Sequence, residues 1–229
     1  MVIDSIKKTL LNNEILNRIC AKVYRIIGLN IKKIRGRANT IKYDKTYLKH
    51  CRININGNNN EIIFMGTGVL NDCNIYVNGN NNRILINDKV CGYHVTFTIE
   101  DSENEIVIGH KSLFCGEIEF ACIEGKKIQV GNDCLFSKGI RISTGDSHVI
   151  YDMDGNRVNE AADVTIGNSV WMGQNVDVLK GSLIKENSVV GVGSVVTRKF
   201  EDTNVVIAGI PAKIVKKNIY WEHSRVKES

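Results

Sequence analysis

Residues 164–199 read VTIGNS VWMGQN VDVLKG SLIKEN SVVGVG SVVTRK, which are six consecutive hexads in one phase. The first position of each hexad is valine or serine. The third position is always apolar, as Ile166, Met172, Val178, Ile184, Val190 and Val196. A helix would need apolar spacing of three and four, and a hairpin would need longer alternation between turns. The six-residue period instead predicts a coil of short strands that each turn one aliphatic side chain inward.

The first half of the chain repeats with a longer period. The segments ININGNNNEIIF, IYVNGNNNRILI and FTIEDSENEIVI align at one constant step, from Ile55 to Val77 to Ile99. A coil of three hexads is shorter than this step by four residues, so each coil here has four additional residues at one fixed corner. The corner asparagines predicted to stack, about one strand spacing (~4.8 Å) apart, are Asn60, Asn82 and Asn104. This pattern predicts a β-solenoid over most of the chain.

The composition is ordinary, but the charge is uneven. The 229 residues are 43% hydrophobic with a net charge of +5, and residues 1–43 contain ten Lys or Arg against two acids. No apolar run is long enough to span a membrane, and no signal-peptide h-region precedes the repeats. We therefore expect a cytoplasmic protein with no nucleic-acid partner. Its seven cysteines should be reduced, including Cys51 and Cys73, which are separated by the same step as Ile55 and Val77 and should stack.

Residues 143–163, STGDSHVIYDMDGNRVNEAAD, interrupt the rhythm, which resumes at Val164. In a uniform solenoid every side chain fills the core or lies on a flat face, so a projecting loop is where chemistry can be placed. The loop contains His148, and histidine is the side chain most often used as a general base. Asp146 and Asp152 flank it, and either could orient the ring and stabilise the imidazolium. Sequence alone does not rank the two carboxylates.

The hexads, together with VTIGNSVWMG, GVGSVVT and AGIPAKIV, resemble the hexapeptide-repeat acyltransferases over roughly residues 46–217. The chain is most similar to the bacterial O-acetyltransferases that modify capsule, lipopolysaccharide or exopolysaccharide sugars. The resemblance implies an all-β, left-handed parallel β-helix that assembles as a homotrimer. It also implies a saccharide acceptor and acetyl-CoA as acyl donor, bound between neighbouring β-helices. The left hand comes from the resemblance alone, since ordinary parallel crossovers are right-handed.

The resemblance also assigns residues. The family's loop holds its catalytic histidine, which matches His148, and the family places a tryptophan near the thioester, which matches Trp171. Small residues suit an extended amide chain and cations suit phosphates. The positions matched to the acetyl-CoA site are Gly173, Gln174, Gly191, Val192, Thr197, Arg198, Lys213 and Lys216. Val192 departs from the family, which often has alanine there. On the loop, Arg157 is predicted to recognise the acceptor.

Three segments are expected: a basic helical segment over 1–42, the β-helix over 43–212, and a helical tail over 213–229. Apolar residues between 5 and 27 recur at helical spacing, and the basic run IKKIRGR follows. This first segment could cap the open end of the solenoid or dock on an anionic membrane surface, and we favour the cap. In the tail, Trp221 is predicted either to pack against the β-helix or to lie near the adenine.

Other classes fit the sequence less well. A γ-class carbonic anhydrase needs three histidines around zinc, but His110 does not stack with His50 and His94, so no metal is expected. An ice-binding or structural β-helix would show regular threonine ladders, and this chain has none. The remaining alternative is an N-acetyltransferase acting on an amino sugar or nucleotide sugar. We predict an acetyl-CoA-dependent O-acetyltransferase acting on a hydroxyl of a surface-polysaccharide sugar.

Overall fold

The computed structural model describes residues 14–224. Within them, a single helix, α1 (Glu14–Ile27), is followed by strands that form three sheets around one core. Face A consists of β1 (Ile31–Arg35), β4 (Arg52–Asn56), β7 (Asn74–Asn78), β10 (Val95–Glu100), β13 (Ile118–Cys122), β16 (Ile140–Ser143), β19 (Asp177–Val178) and β22 (Val195–Val196). Face B consists of β2 (Thr40–Tyr43), β5 (Glu61–Phe64), β8 (Arg83–Ile86), β11 (Glu105–Ile108), β14 (Lys127–Val130), β17 (Val164–Ile166), β20 (Leu183–Ile184) and β23 (Lys199–Phe200). Face C consists of β3 (Tyr47–Lys49), β6 (Val69–Asn71), β9 (Cys91–Tyr93), β12 (Leu113–Phe114), β15 (Leu135–Phe136), β18 (Trp171–Met172), β21 (Val189–Val190), β24 (Val205–Gly209) and β25 (Ala212–Lys217).

Successive strands run from face A to face B to face C, so the chain forms a parallel β-solenoid. Strand pairing confirms both predicted periods. Val77 pairs with Ile55 on one side and Ile99 on the other, which is the longer step, and Met172 pairs with Val190, which is three hexads later. The first and third positions of all six hexads are buried, and the apolar ones line one continuous core. The sequence period therefore corresponds to the hydrogen-bonding register of the sheets.

The corner between faces A and B contains the predicted asparagine ladder. Asn60 Oδ1 accepts a hydrogen bond from the Asn82 backbone N–H at 3.0 Å, and Asn82 Oδ1 accepts one from the Asn104 backbone N–H at 2.8 Å. All three side chains are buried. Gly57 opens this corner at φ +140°, and a Cβ there would lie 1.8 Å from the Gly79 carbonyl oxygen. Only glycine fits so close a backbone approach.

The interruption enlarges this same corner. β16 ends at Ser143 and β17 begins at Val164, so residues 144–163 project between face A and face B. Beyond the loop, Ile142 pairs with Val178, so the whole interruption is contained within one coil. Thr144 keeps the base of the corner closed, because its Oγ1 accepts a hydrogen bond from the backbone N–H of Ile123 at 2.9 Å. The loop therefore leaves the solenoid without breaking the coil beneath it.

Both predicted chain ends need correction. The solenoid begins at Ile31, before the expected boundary at 43, because the basic run pairs in parallel with β4 as an end strand with charged residues exposed. The predicted C-terminal helix is wrong for residues 213–224. Instead, β25 folds back antiparallel on β24 and satisfies the backbone groups of that edge strand. Residues 1–13 and 225–229 of the two predicted end segments lie outside the described residues.

Helix α1 packs against the first coil through one face. Tyr47 donates its hydroxyl hydrogen to Asn17 Oδ1 at 2.8 Å, and Arg25 Nη1 donates to the Thr46 carbonyl oxygen at 2.6 Å. Ala21 is buried between these contacts. No helix within residues 14–224 has the length and apolar character needed to cross a bilayer. Farther along, Cys51 and Cys73 are buried next to each other, and no disulfide joins them.

Candidate active site

The projecting loop is held from below by the coil that follows it. The Asp146 carboxylate accepts hydrogen bonds from Lys180 Nζ at 2.5 Å and from Asn159 Nδ2 at 2.9 Å. Asn159 is buried, donates to the His148 carbonyl oxygen at 2.7 Å and accepts the Ile150 backbone N–H at 2.8 Å. The Lys180 bond is the main cause of the lowered pKa of Asp146, and the Asn159 bond adds to it. Asn159 and Lys180 therefore fix the backbone on both sides of His148.

The ring of His148 takes no part in this network, which bonds only to the backbone of the residue. Its ring is exposed, and among residues 14–224 it has no hydrogen-bond or ion-pair partner, so neither flanking carboxylate is bonded to it. Asp152 instead closes the tight turn at the loop tip, where its Oδ1 accepts the backbone N–H groups of Asp154 at 2.9 Å and Asn156 at 2.8 Å. The bond from the Asn156 backbone is the largest cause of the lowered pKa of Asp152. The two predicted partner carboxylates thus have different roles: Asp146 anchors the loop and Asp152 shapes its tip.

Arg157 joins the loop to the preceding coil. Its Nη2 lies 2.7 Å from Glu124 Oε1 and its Nη1 lies 3.6 Å from Glu160 Oε2. The bond from Arg157 is the main cause of the lowered pKa of Glu124. Two carboxylates therefore hold the Arg157 guanidinium in place, and its contact with the acceptor stays a prediction.

Trp171 lies on face C with 38% of its surface exposed. Its ring centroid is 6.0 Å from that of Trp221, which donates its indole N–H to the Ser169 carbonyl oxygen at 2.8 Å. The ring of His223 packs on Trp221 as well, at a centroid distance of 4.8 Å. Of the two positions predicted for Trp221, the packed one is found. The tail therefore covers part of Trp171 and leaves the rest of the indole accessible.

Four of the positions matched to the acetyl-CoA site share the corner between faces C and A. The Gly193 backbone N–H donates to the Gln174 carbonyl oxygen at 2.8 Å. A Cβ on Gly173 would lie 2.7 Å from the Val192 backbone nitrogen, so this position needs glycine, and one on Gly191 would lie 3.0 Å from the Ala208 Cβ, which is a tight contact. The Val192 side chain is 71% exposed. This corner presents accessible backbone suited to an extended amide chain.

The other matched positions lie elsewhere. Thr197 and Arg198 are exposed at the corner between faces A and B, and the Arg198 guanidinium carbon lies 5.3 Å from the centroid of the Phe200 ring. Lys213 and Lys216 are exposed on β25 and have no ion-pair partner among residues 14–224. Both lysines are therefore available to an anionic ligand.

The predicted site is split between two corners of one chain. His148, Thr197 and Arg198 lie at the corner between faces A and B, whereas Gln174 and Val192 lie at the corner between faces C and A. The width of face A separates the two groups, because each face A strand runs from one corner to the other. The structure therefore brings the base and the acetyl-CoA positions into two separate groups within a single chain.

Sequence reasoning missed Lys180 and Asn159. Lys180 lies at the same corner as the loop, one coil later, since Ile142 at the loop's base pairs with Val178. That placement can be counted from the hexads, but a lysine at a coil corner is usually only solvated. Asn159 has no such signal, because it belongs to the segment without a period. Only the folded loop shows that its amide bonds to both Asp146 and the backbone of His148.

The histidines considered for a metal site have other contacts. His50 Nδ1 lies 3.2 Å from Asp72 Oδ1, and His94 stacks on Tyr93 with ring centroids 3.9 Å apart. Within residues 14–224, no group of three or more His, Cys, Asp or Glu side chains is placed to hold a metal ion. These contacts favour structural roles for both histidines.

Together the parallel solenoid, the projecting histidine loop and the glycine corners define an acyltransferase of the hexapeptide-repeat class, and comparisons with known proteins agree. A polysialic acid O-acetyltransferase of Neisseria meningitidis is 36% identical over 197 residues, which are 85% of this chain and 91% of that protein. The solved structure of the polysialic acid O-acetyltransferase OatWY matches with a TM-score of 0.81 and 34% identity, over 88% of this chain and 94% of that one. The solved structure of the polySia-specific acetyltransferase NeuO matches with a TM-score of 0.77 and 26% identity, over 87% of this chain and 92% of that one. No model of a known protein family matches the chain.

The chain belongs to the hexapeptide-repeat saccharide O-acetyltransferase family. It is an enzyme of the acyltransferase class, and the prediction made from the hexads and from VTIGNSVWMG, GVGSVVT and AGIPAKIV is confirmed.

Proposed function

We propose that the protein is a homotrimeric, cytoplasmic O-acetyltransferase that transfers the acetyl group of acetyl-CoA to a hydroxyl of a bacterial surface-polysaccharide sugar. Its solenoid would have the left hand of its family. The observation that carries the proposal is the presentation of His148, whose ring is unpaired within residues 14–224, on a loop fixed by Asp146, Asn159 and Lys180. The names of the relatives support a saccharide acceptor and make polysialic acid the first acceptor to test.

In the proposed reaction, an imidazole nitrogen of His148 takes the proton of the acceptor hydroxyl as its oxygen attacks the thioester carbonyl. The new C–O ester bond forms, the C–S bond breaks, and the proton passes to the departing thiolate. Acetyl-CoA supplies only the activated acetyl group. Asp146 acts as a positioning residue in this scheme, since it holds the loop through Lys180 and Asn159 without contacting the ring.

A trimer would reunite the two halves of the split site, because the loop of one copy could reach the glycine corner and Trp171 of the next. Face C supports such a contact. It presents one outward apolar row along the solenoid, in the paired positions Val69, Cys91, Leu113, Leu135, Trp171, Val189 and Val206. The corresponding row of face A is polar in all but its two end positions, Ile31 and Val195, and consists between them of Arg52, Asn74, Thr96, Glu119, Arg141 and Asp177. An apolar row of this length favours burial against a neighbour.

The acetyl-CoA site is proposed at the corner of Gly173, Gln174, Gly191 and Val192, with the phosphates held by cations. Lys213 and Lys216 suit this role because neither has an ion-pair partner in the described chain, whereas the adjacent Lys217 is bound to Asp202 at 3.2 Å. Replacing Lys213 with Glu should then raise the KM for acetyl-CoA about tenfold or more, while Lys217→Glu serves as the matched control.

The function is tested by incubating the protein with acetyl-CoA and polysialic acid, and by following thiol release and the mass of the product. The expected result is thiol release that depends on the glycan and adds acetyl groups removable by mild hydroxylamine treatment, as esters are. Acetyl groups that resist hydroxylamine would point to the N-acetyltransferase alternative. Absence of turnover with polysialic acid and with capsular, lipopolysaccharide and exopolysaccharide acceptors would contradict the proposal.

A further inference from the structure

Helix α1 has a second apolar face that covers nothing in the described chain. The face that includes Asn17 and Ala21 packs on the first coil. Roughly opposite lie four aliphatic side chains at helical spacing, and each is about half exposed or more. They are Ile15 (73% exposed), Ile19 (53%), Val23 (49%) and Ile26 (71%). A helix that only capped the coil would need one apolar face, so the second face needs its own explanation.

The exposed apolar surface continues from the helix onto the end of the solenoid. Ile27 and Leu29 lie at and just after the helix end with 67% and 74% of their surfaces exposed, and on β1 Ile31 and Ile34 are 44% and 47% exposed. A concavity lined by Ile26, Ile31 and other residues of the first coil opens here. We call the helix stripe and these residues the basal surface. It lies at the opposite end of the solenoid from the last coils, which carry the candidate active site.

Unpaired positive charge surrounds the basal surface. Lys22 lies beside the helix stripe, and Lys33, Arg35 and Arg37 lie on or next to β1; none of these four has an ion-pair partner among residues 14–224. On face B, by contrast, several basic side chains are paired with acidic ones. There Arg83 lies between Glu61 and Glu105, at 3.4 Å and 2.8 Å. Positive charge left without counter-charge around an apolar stripe is typical of a helix that lies on an anionic membrane surface.

We propose that the basal surface docks on an anionic lipid bilayer, with α1 packing on the first coil through one face and entering the headgroup region through the other. One face of the helix then caps the first coil, and the opposite face docks on the membrane. Charge favours lipid over a second copy of the chain, because a symmetric contact between basal surfaces would bring like charges together. This proposal is independent of the acetyltransferase activity, because docking requires neither acetyl-CoA nor an acceptor.

The test is co-sedimentation of the full-length protein with vesicles of phosphatidylcholine alone and of phosphatidylcholine with phosphatidylglycerol. We expect binding to the anionic vesicles only, and weaker binding as salt is raised. Ile19→Glu should weaken partitioning on the order of tenfold or more, since it places a charge in the apolar stripe. Lys33→Gln with Arg35→Gln should weaken it about 25-fold, at roughly fivefold for each basic side chain.

Two exposed residues outside the first coil, Lys111 before β12 and Tyr220 after β25, provide controls. Tyr220→Glu and Lys111→Glu make similar changes of polarity and charge, and both should bind like the parent. In the parent itself, hydrogen exchange of Glu14–Ile27 should slow when anionic vesicles are added, which needs no variant at all. The proposal is overturned if the parent does not bind anionic vesicles at low salt. It is also overturned if Ile19→Glu leaves binding intact and changes the oligomeric mass, which would make the stripe an interface between copies.

Discussion

The corner between faces A and B is built in two ways along the same solenoid. In the coils of Asn60, Asn82 and Asn104 it is short, and buried amides close it by bonding from each coil to the next. In the coil of His148 it spans residues 144–163 and is held by an ion pair and by one unrepeated asparagine. One position in the fold thus serves stability in one region and presents a reactive side chain in another.

The difference shows what a repeat can and cannot supply. A repeated corner places the same side chain on every coil, so it forms a ladder whose members satisfy one another. A general base such as His148 is needed only once, so it lies on a loop outside the repeated corners. That loop must then be fixed by side chains from other coils. Arg157 does this through Glu124 on the coil before, and Asp146 does it through Lys180 on the coil after. The following substitutions separate the two kinds of corner.

The largest expected effect is on turnover at the open corner. His148→Ala should lower kcat by on the order of 10²–10⁴, the usual contribution of a general base. Stability should not change, because the ring is exposed and unbonded within the described chain. Steady-state thiol release and thermal unfolding measure the two quantities, and Met153→Ala, fully exposed on the same loop, is the control. Full activity in the His148→Ala protein would contradict the proposed mechanism.

The closed corner should show the reverse pattern. Asn82→Ala removes the acceptor of the buried Asn104 N–H and the donor to the Asp101 carbonyl oxygen. Leaving one buried and one partly buried backbone group unpaired should cost about 2–4 kcal/mol of unfolding free energy in urea, with kcat retained. Asn80→Ala, an exposed asparagine of the same corner, should cost less than about 1 kcal/mol. A kcat loss with Asn82→Ala that exceeds its effect on folded fraction would show that the ladder also positions the site.

A smaller effect is expected from the link between the loop and the next coil. Lys180→Met should lower kcat about tenfold, because a base displaced by even a fraction of an ångström loses alignment. Lys185→Met, which removes a similar pair with Glu201 at 3.7 Å, should leave kcat near the parent value. Equal losses in both variants would indicate a general charge effect and not a positioning role.

The same link predicts a pH dependence. The pKa of Asp146 is lowered in the folded protein, mainly by Lys180, so its contribution is present above the unfolded value of about 3.9 and is lost as pH falls through the folded pKa. Hydrogen exchange of residues 144–163 should therefore stay slow at pH 5 and increase only below about pH 4. Lys180→Met should move that increase to higher pH. An unchanged profile would show that Lys180 does not hold Asp146 in solution.

The smallest effect is expected at the loop tip. Asp152→Asn should change kcat by less than about twofold, because an asparagine Oδ1 can accept the same two backbone N–H bonds. Asp146→Asn should cost more, since it removes the charge that binds Lys180. Steady-state kinetics on the pair distinguishes the roles. A larger loss at Asp152 would mean that its carboxylate reaches the imidazole during catalysis.

The sequence by itself determined the register of the solenoid and the place of its interruption. Ile55, Val77 and Ile99 could be aligned by counting, because each coil must return one apolar side chain to the same core position. For the same reason His148 was recognisable as a residue outside the period. In a repeat protein, strand pairing between distant residues can be predicted from the sequence, since the strand contacts between coils recur at a regular sequence separation.

Only the tertiary structure decided the contacts that occur once. The Asp146–Lys180 pair, the bonds of Asn159 and the return of β25 along β24 have no second copy in the chain that would reveal a period. The contact of Trp221 with Trp171 joins residues far apart in the chain, and helical spacing in α1 could not tell which apolar face would pack. Such contacts depend on which edges and groups the finished coils leave unsatisfied, and that is defined only when the coils are stacked.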